Sequence, residues 1–307
     1  MNILEVARNL YLIDLPQKLA GFRKFISCWV VKDNGKALVV DIGPGSTVPK
    51  LVESLKFLGI EEVEYVLLTH IHIDHAGGLG HFLKYYPSAK VVVHEMGERH
   101  IVEPSKLWEG SLRVLGDVAR IYEKPIGISP DSIYKGKITF AGKDVSVLKT
   151  PGHAAHHQCY IFDEFLFIGE AAGVHIPLKG DYYLRPATPS KFIFEIAYDS
   201  LERLIKIGSK RVCFGHFGFK RNSKEIAKNA MKQLRLWVDV VYDIACRRDF
   251  RDEKKIINQA KEILLEKDKR FARYHLLDDD IKKREDFFIE NSLRGILEYV
   301  HSNYCEP

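Results

Sequence analysis

The sequence predicts an α/β protein built on mixed sheets and followed by a helical module, rather than a doubly wound parallel sheet. Three observations lead there. Strand-like and helix-like segments intermingle through the first two thirds of the 307 residues, which points to sheets with flanking helices. The chain opens with a hairpin signal instead of a strand–helix–strand crossover. After Gly218 the character changes: no glycine occurs until Gly295, and no proline between Pro189 and Pro307.

The elements follow in order. "NLYLIDL" (9–15), "FISCWVVKD" (25–33) and "KALVVDIG" (36–43) are β-branched and aromatic runs. Asn34-Gly35 separates the last two, and both positions tolerate the positive φ of a two-residue turn. "STVPKLVESLKFLG" (46–59) has helical spacing and closes on Gly59. A buried strand, "VEYVLLTH" (63–70), precedes a helix at 77–86 and a strand, "KVVVHE" (90–95). Residues 97–122 read as helical and 123–135 as a loop. Strands follow at 137–140, 144–150, 157–164 and 165–171. A long loop containing Pro177, Gly180, Pro186 and Pro189 leads to a helix at about 190–208 and a strand, "RVCFGH" (211–216). Three amphipathic stretches, about 223–247, 253–275 and 282–302, complete the chain. In the first, Ile226, Ala227, Ala230, Leu234, Trp237, Val241 and Ile244 form one apolar stripe. Trp237, Phe287 and Phe288 are candidates for its buried seam. The boundaries expected are 1–220 for a catalytic domain and 221–307 for the helical module.

Composition narrows the function classes. The chain is 46% hydrophobic and 28% charged, as in ordinary globular proteins. No window approaches the roughly 18 apolar residues of a membrane span. The N-terminal stretch lacks the basic-then-apolar layout of a secretion signal, so a cytoplasmic location is expected, with no membrane partner. The net charge of +5 arises from 46 basic and 41 acidic residues, without the concentrated basic stripe of a nucleic-acid binder. Five widely spaced cysteines without a CxxC pair argue against a disulfide framework. Cys28, Cys159 and Cys213 fall in apolar runs and read as buried small hydrophobes.

One stretch carries dense chemistry. "THIHIDHAGG" (69–78) places three histidines and an aspartate within six positions at the end of a buried strand. Alternation sets His70 and His72 on one side, where both imidazoles can reach a single cation. Asp74 and His75 come further round the turn and can serve a second. A polar turn with solvated histidines is the alternative, and four ligand-type side chains so close together argue against it.

This stretch resembles the H-x-H-x-D-H signature of the metallo-β-lactamase-fold hydrolases. Three further segments resemble that family's later elements in the right order. "LKTPGHAAHH" (148–157) nominates His153, "FIGEA" (167–171) nominates Glu170, and "VCFGHFG" (212–218) nominates His216. The resemblance covers residues 1 to about 220. It implies an αββα sandwich of two mixed sheets flanked by helices, with two divalent metal ions at one edge; zinc is the leading choice, iron or manganese the alternatives. His70, His72 and His153 would hold the first metal, and Asp74, His75 and His216 the second. Glu170 would lie between them, with a bridging hydroxide as nucleophile. Asp74 would also act catalytically, orienting the water or taking a proton. Glu170 departs from the family's aspartate by one methylene, which keeps a one-metal site in play.

The helical module resembles that of glyoxalase II, the hydroxyacylglutathione hydrolase. The implied reaction is therefore hydrolysis of a thioester or an ester/lactone in a small-molecule substrate. "FGFKRNSKE" (217–225) offers no match to a glutathione-carboxylate clamp, so lactonase, phosphodiesterase and iron-dependent persulfide dioxygenase-like activities stand as alternatives, and a non-catalytic scaffold as a further one. His156, His157 and Arg185 are candidates for supporting a ligand or meeting substrate, although Arg185 could equally pair with a neighbouring acid. His94 reads as a structural hydrogen bonder. The helical module could also provide a homodimer face.

Overall fold

The computed structural model describes residues 3–247 and 252–305. Residues 1–2, the start of the stretch read for a leader, lie outside them. The chain divides into two compact units. The first comprises Met1–Lys149, His156–Gly169 and Val212–Phe219, and the second Thr150–Ala155, Glu170–Arg211 and Lys220–Pro307.

In the first unit, six strands form one sheet in chain order: β1 (Ile3–Ala7), β2 (Leu10–Asp14), β3 (Ser27–Asp33), β4 (Lys36–Val40), β5 (Glu62–Leu67) and β6 (Lys90–Val92). β1 through β4 are antiparallel; β4, β5 and β6 are parallel, so the sheet is mixed. The β3–β4 hairpin turns through Asn34 and Gly35, both at positive φ (43° and 78°), as the sequence predicts. Helix α1 (Val48–Phe57) provides the parallel crossover from β4 to β5. Strand β1 has no counterpart in the sequence reading: "ILEVA" is only five residues long and none of them is fully buried.

A second sheet begins with β7 (Thr139–Phe140), β8 (Lys143–Lys149), β9 (Gln158–Phe162) and β10 (Phe165–Gly169), each antiparallel to the next. Two intervening strands, β11 (Val174–Leu178) and β12 (Asp181–Arg185), pair only with each other. The second sheet then completes with β13 (Arg211–Phe214) beside β10 and β14 (Phe219–Lys220) at its edge. Leu10, Leu12, Trp29 and Leu67 from the first sheet pack with Phe140, Tyr160, Phe167 and Cys213 from the second in one core. That is face-to-face sheet packing, each strand's inward set meeting the other's.

The expected helix at 77–86 is reduced to α3 (Leu79–Phe82), and a further short helix, α2 (Ile73–Ala76), precedes it where a turn was expected. Gly77-Gly78 falls between them, and the Gly78 amide bonds to Gly43 O (2.9 Å) instead of continuing a helical ladder. The stretch 97–122 resolves into α4 (Glu95–Val102), α5 (Ser105–Leu115) and α6 (Asp117–Tyr122).

The second unit holds the β11–β12 ribbon, α7 (Phe194–Lys206), α8 (Ser223–Tyr242), α9 (Glu253–Lys267) and α10 (Asp279–Asn303). The ribbon replaces the long loop expected from Pro177, Gly180 and Pro186. A two-stranded ribbon leaves each strand with an unpaired edge, so Pro177 is tolerated opposite Tyr182. The α8 stripe is buried as patterned, from Ile226 to Val241, and Ile244 follows it into the core. Trp237 is fully buried and donates to Asp268 (2.8 Å), whereas Phe287 is exposed and does not join that seam. Cys246 and Cys305 form a disulfide across 59 positions, contrary to the expectation from cysteine spacing. Only folding brings the ends of α8 and α10 together, and no local motif announces it. Cys28, Cys159 and Cys213 are free and buried.

Glu285 is fully buried and receives Arg185 Nε at 2.6 Å and Arg284 Nη2 at 3.0 Å. Burial alone would raise its pKa, but the two guanidiniums outweigh that and hold it below the ordinary glutamate range. A lowered folded pKa contributes stability that is present above the unfolded value and lost as pH falls through the folded one. Stability should therefore drop below about pH 4.5. Glu285→Gln should cost about 3–5 kcal/mol at neutral pH by leaving two buried cations unpaired, and should flatten that acid limb in denaturant titrations. Reduction of Cys246–Cys305, or Cys246→Ser, should cost up to about 4 kcal/mol on the loop-closure account, read as a lower Tm.

Candidate metal centre

The site grows from the ends of β4 and β5. Asp41 directly follows β4, adopts a left-handed backbone (φ 51°) and is 2% exposed. Its carboxylate accepts the Thr69 amide (2.8 Å), the Thr69 hydroxyl (2.8 Å) and His75 Nδ1 (2.9 Å). The Thr69 hydroxyl spends its proton on Asp41, so at 3.0 Å from His70 Nδ1 it acts as acceptor and fixes the proton on that nitrogen. His70 and His75 are thereby held in the tautomer that turns a bare Nε2 lone pair toward the site. Outer partners of this kind orient metal-binding histidines generally.

His72 opens α2 and its ring centroid lies 4.6 Å from that of His70. The short α2 then brings Asp74 and His75 round the turn, and His70 and His75 have centroids 4.2 Å apart. His216 comes from just beyond β13. Phe25 stacks on its ring (centroids 4.3 Å apart), and the Ser27 hydroxyl donates to its carbonyl. One ligand atom from each of Asp74, His75 and His216 lies within 4.8 Å of the others. Gly169 and Gly215 allow this convergence. A Cβ on Gly215 would meet Gly169 Cα at 3.0 Å and His75 Cε1 at 3.1 Å, and Gly169 itself turns at φ 54°.

In the second unit, His153 and Glu170 meet, with Nε2 2.9 Å from Oε2. His153 Nδ1 faces the Ala187 carbonyl at 3.0 Å. A carbonyl only accepts, so Nδ1 carries the proton, and a neutral ring would direct its Nε2 lone pair at a carboxylate oxygen. Two acceptors at that distance repel unless positive charge lies with them, either a second ring proton or a cation. The donor set thus fits a divalent metal: neutral imidazoles pre-oriented through Nδ1, with carboxylates beside them.

The supporting residues sort by unit. His156 and His157 belong to the first, with ring centroids 6.4 and 5.3 Å from His70. Arg185 belongs to the second and is buried, its guanidinium committed to Glu285 and the Pro186 carbonyl. His94 caps α4 by accepting the Met96 amide (3.2 Å), and burial holds its pKa below the usual histidine value. Sequence reasoning passed over Asp41. A lone aspartate ending an apolar run just before Gly43-Pro44-Gly45 was the available signal.

Comparison with known proteins fits this geometry. The family model described as the metallo-beta-lactamase superfamily matches residues 21–216. A metallo-beta-lactamase fold-containing protein of Sulfurisphaera tokodaii is 29% identical over 72% of this chain and 83% of its own length. A hydroxyacylglutathione hydrolase of Klebsiella pneumoniae is 29% identical, but over only 46% of this chain and 45% of that enzyme. Among solved structures, a metallo-beta-lactamase family protein of Thermus thermophilus shares the fold with a TM-score of 0.64 at 22% identity, covering 97% of this chain and 95% of its own. With the signature stretch inside the matched region and its side chains converging on one edge, the chain belongs to the metallo-beta-lactamase superfamily.

Proposed function

We propose that the protein is a metal-dependent hydrolase acting on a thioester or an ester/lactone bond of a small molecule. The observation that carries this reading is the converged trio of Asp74, His75 and His216, with His75 fixed from behind by Asp41. In the proposal, His70, His72 and His153 hold one divalent ion, Asp74, His75 and His216 a second, and Glu170 serves both. Zinc suits the histidine-rich set, and iron or manganese can replace it.

A divalent ion held there supplies Lewis-acid chemistry, bringing the pKa of water toward neutrality and polarising the scissile carbonyl. The chain's own residues do the rest. Asp41 and Thr69 keep the His70 and His75 rings from rotating, so their Nε2 atoms need no reorganisation during turnover. Asp74 is half buried, with Oδ2 3.8 Å from His75 Nε2. It can orient the attacking water and carry its proton to the leaving group. A thiolate leaves with little acid assistance and an alkoxide needs less than an amide nitrogen, which favours thioesters and esters over amides.

The partial match to hydroxyacylglutathione hydrolases supports the thioester arm for the core alone, since it spans less than half of either chain. The competing reading is a single-iron oxygenase, and the close His153–Glu170 pair favours it, because three histidines and one carboxylate suffice for one ion.

Metal analysis of protein purified without chelators should return about two equivalents; a constant single equivalent would remove the dinuclear arrangement. Across thioester, lactone, phosphodiester and β-lactam substrates, the thioesters or lactones should turn over fastest. Oxygen uptake with glutathione persulfide, without hydrolysis of any of these, would move the assignment to the oxygenase. Asp41→Asn should weaken metal retention roughly 10- to 100-fold, measured by chelator competition, and lower kcat/KM while substrate KM stays within a few-fold.

A further inference from the structure

A cavity of about 30 Å³ lies within the second unit, and its walls include His153, Glu170, Thr188, Ala230 and Gln233. Its remaining walls are small or apolar groups from the 171–173 turn, the 186–192 segment, α7 and α8. Roughly 10–15 Å³ is enough for a water molecule, provided polar partners line the space.

Gln233 decides what those partners require. Its Nε2 donates to the Leu184 carbonyl and to Asp268 Oδ2, each at 2.7 Å. Asp268 is itself fixed by the Trp237 indole (2.8 Å) and by the amides of Arg270 (3.0 Å) and Phe271 (3.1 Å). Flipping the amide would set oxygen against oxygen twice, so its orientation is determined by the network. Gln233 is 5% exposed, and its Oε1 is buried without a hydrogen-bond partner among the described residues. Of the other polar walls, Thr188 gives its proton to the Ser292 carbonyl (2.8 Å), His153 Nδ1 gives its proton to the Ala187 carbonyl, and Glu170 presents a carboxylate acceptor. An occupant of this cavity must therefore donate twice and be no larger than a few atoms.

We propose that the cavity binds one water molecule, and that Gln233 positions the Glu170 carboxylate through it. One O–H goes to Gln233 Oε1 and the other to a Glu170 oxygen, while His153 Nε2 stands 2.9 Å from Oε2. Glutamate has one more rotatable bond than aspartate, and the water removes the freedom that bond adds. Gln233 is a positioning residue here, acting on Glu170 without touching substrate. The functional half of the proposal rests on Glu170 being a metal ligand; the water site does not.

Two variants of the full chain test it. Ala230→Val fills the cavity from α8 without altering a hydrogen bond, and Gln233→Met removes the carbonyl at nearly constant length, together with the Nε2 bonds to Leu184 and Asp268. A high-resolution crystal structure of the wild type, with or without added metal, should contain one ordered water within hydrogen-bond distance of Gln233 Oε1 and Glu170. Ala230→Val should lack it. Both variants should release metal to a chelator about tenfold more readily, with Tm recorded alongside to separate this from global instability. Should Ala230→Val fail to fold, Gln233→Met carries the retention measurement. A wild-type cavity without water, or variants that retain metal as tightly as wild type, would overturn the proposal. Wild-type protein that binds no divalent metal would instead sink the hydrolase reading, and the crystallographic result would still decide the water site.

Discussion

The carboxylate of Asp41, withdrawn from solvent at the end of β4, organises the histidine cluster of the first unit. A buried carboxylate is tolerable only when hydrogen bonds replace the water it gives up, and here a backbone amide, a hydroxyl and an imidazole do so. Each donor belongs to the segment bearing the signature histidines. The bonds that keep Asp41 satisfied are thus the same bonds that set the tautomers of His70 and His75. Loss of the carboxylate would leave the ligand residues in place along the chain but free to rotate, and preorganisation is what separates a strong metal site from a cluster of histidines.

The sheets make that arrangement rigid. The Tyr160 hydroxyl sits 2.8 Å from the Leu68 carbonyl, and the Gln158 amide donates to the Thr69 carbonyl at 2.8 Å. The strand bearing the first histidines is thereby joined to the opposite sheet one residue before His70. Trp29 makes a similar link, donating its indole to Phe214 O at 2.8 Å, close to His216. Two of these links, from Tyr160 and Trp29, come from large aromatic core residues whose polar tips reach a strand end. Packing and site geometry are therefore one system here: the residues that fill the core also fix the backbone from which the ligands project.

What the sequence disclosed follows from how local each feature is. His70, His72, Asp74 and His75 share one turn, so their spacing alone exposed the chemistry. The α8 stripe and the Asn34-Gly35 turn are periodic or dipeptide signals and were equally legible. Asp41 was not, because its partners lie 28 and 34 positions away and a lone aspartate after an apolar run has many explanations. The β11–β12 ribbon was hidden by Pro177, which counts against a strand unless the strand has a free edge. Cys246 and Cys305 looked unrelated because only the folded helices bring their ends together. Arg185 was ambiguous for the same reason: a guanidinium's partner, here Glu285 one hundred positions on, is a tertiary fact.

The glutamate at 170 has a structural setting that makes its extra length intelligible. β10 ends at Gly169 in a left-handed conformation, and the Gly173 amide then bonds to the Glu170 carbonyl at 2.9 Å. Residue 170, the position at which the family resemblance expects an aspartate, is therefore the first residue of a turn, one step past the end of β10. Its carboxylate arrives beside the ring whose Nδ1 proton is already committed to Ala187. The longer side chain thus keeps a carboxylate beside His153.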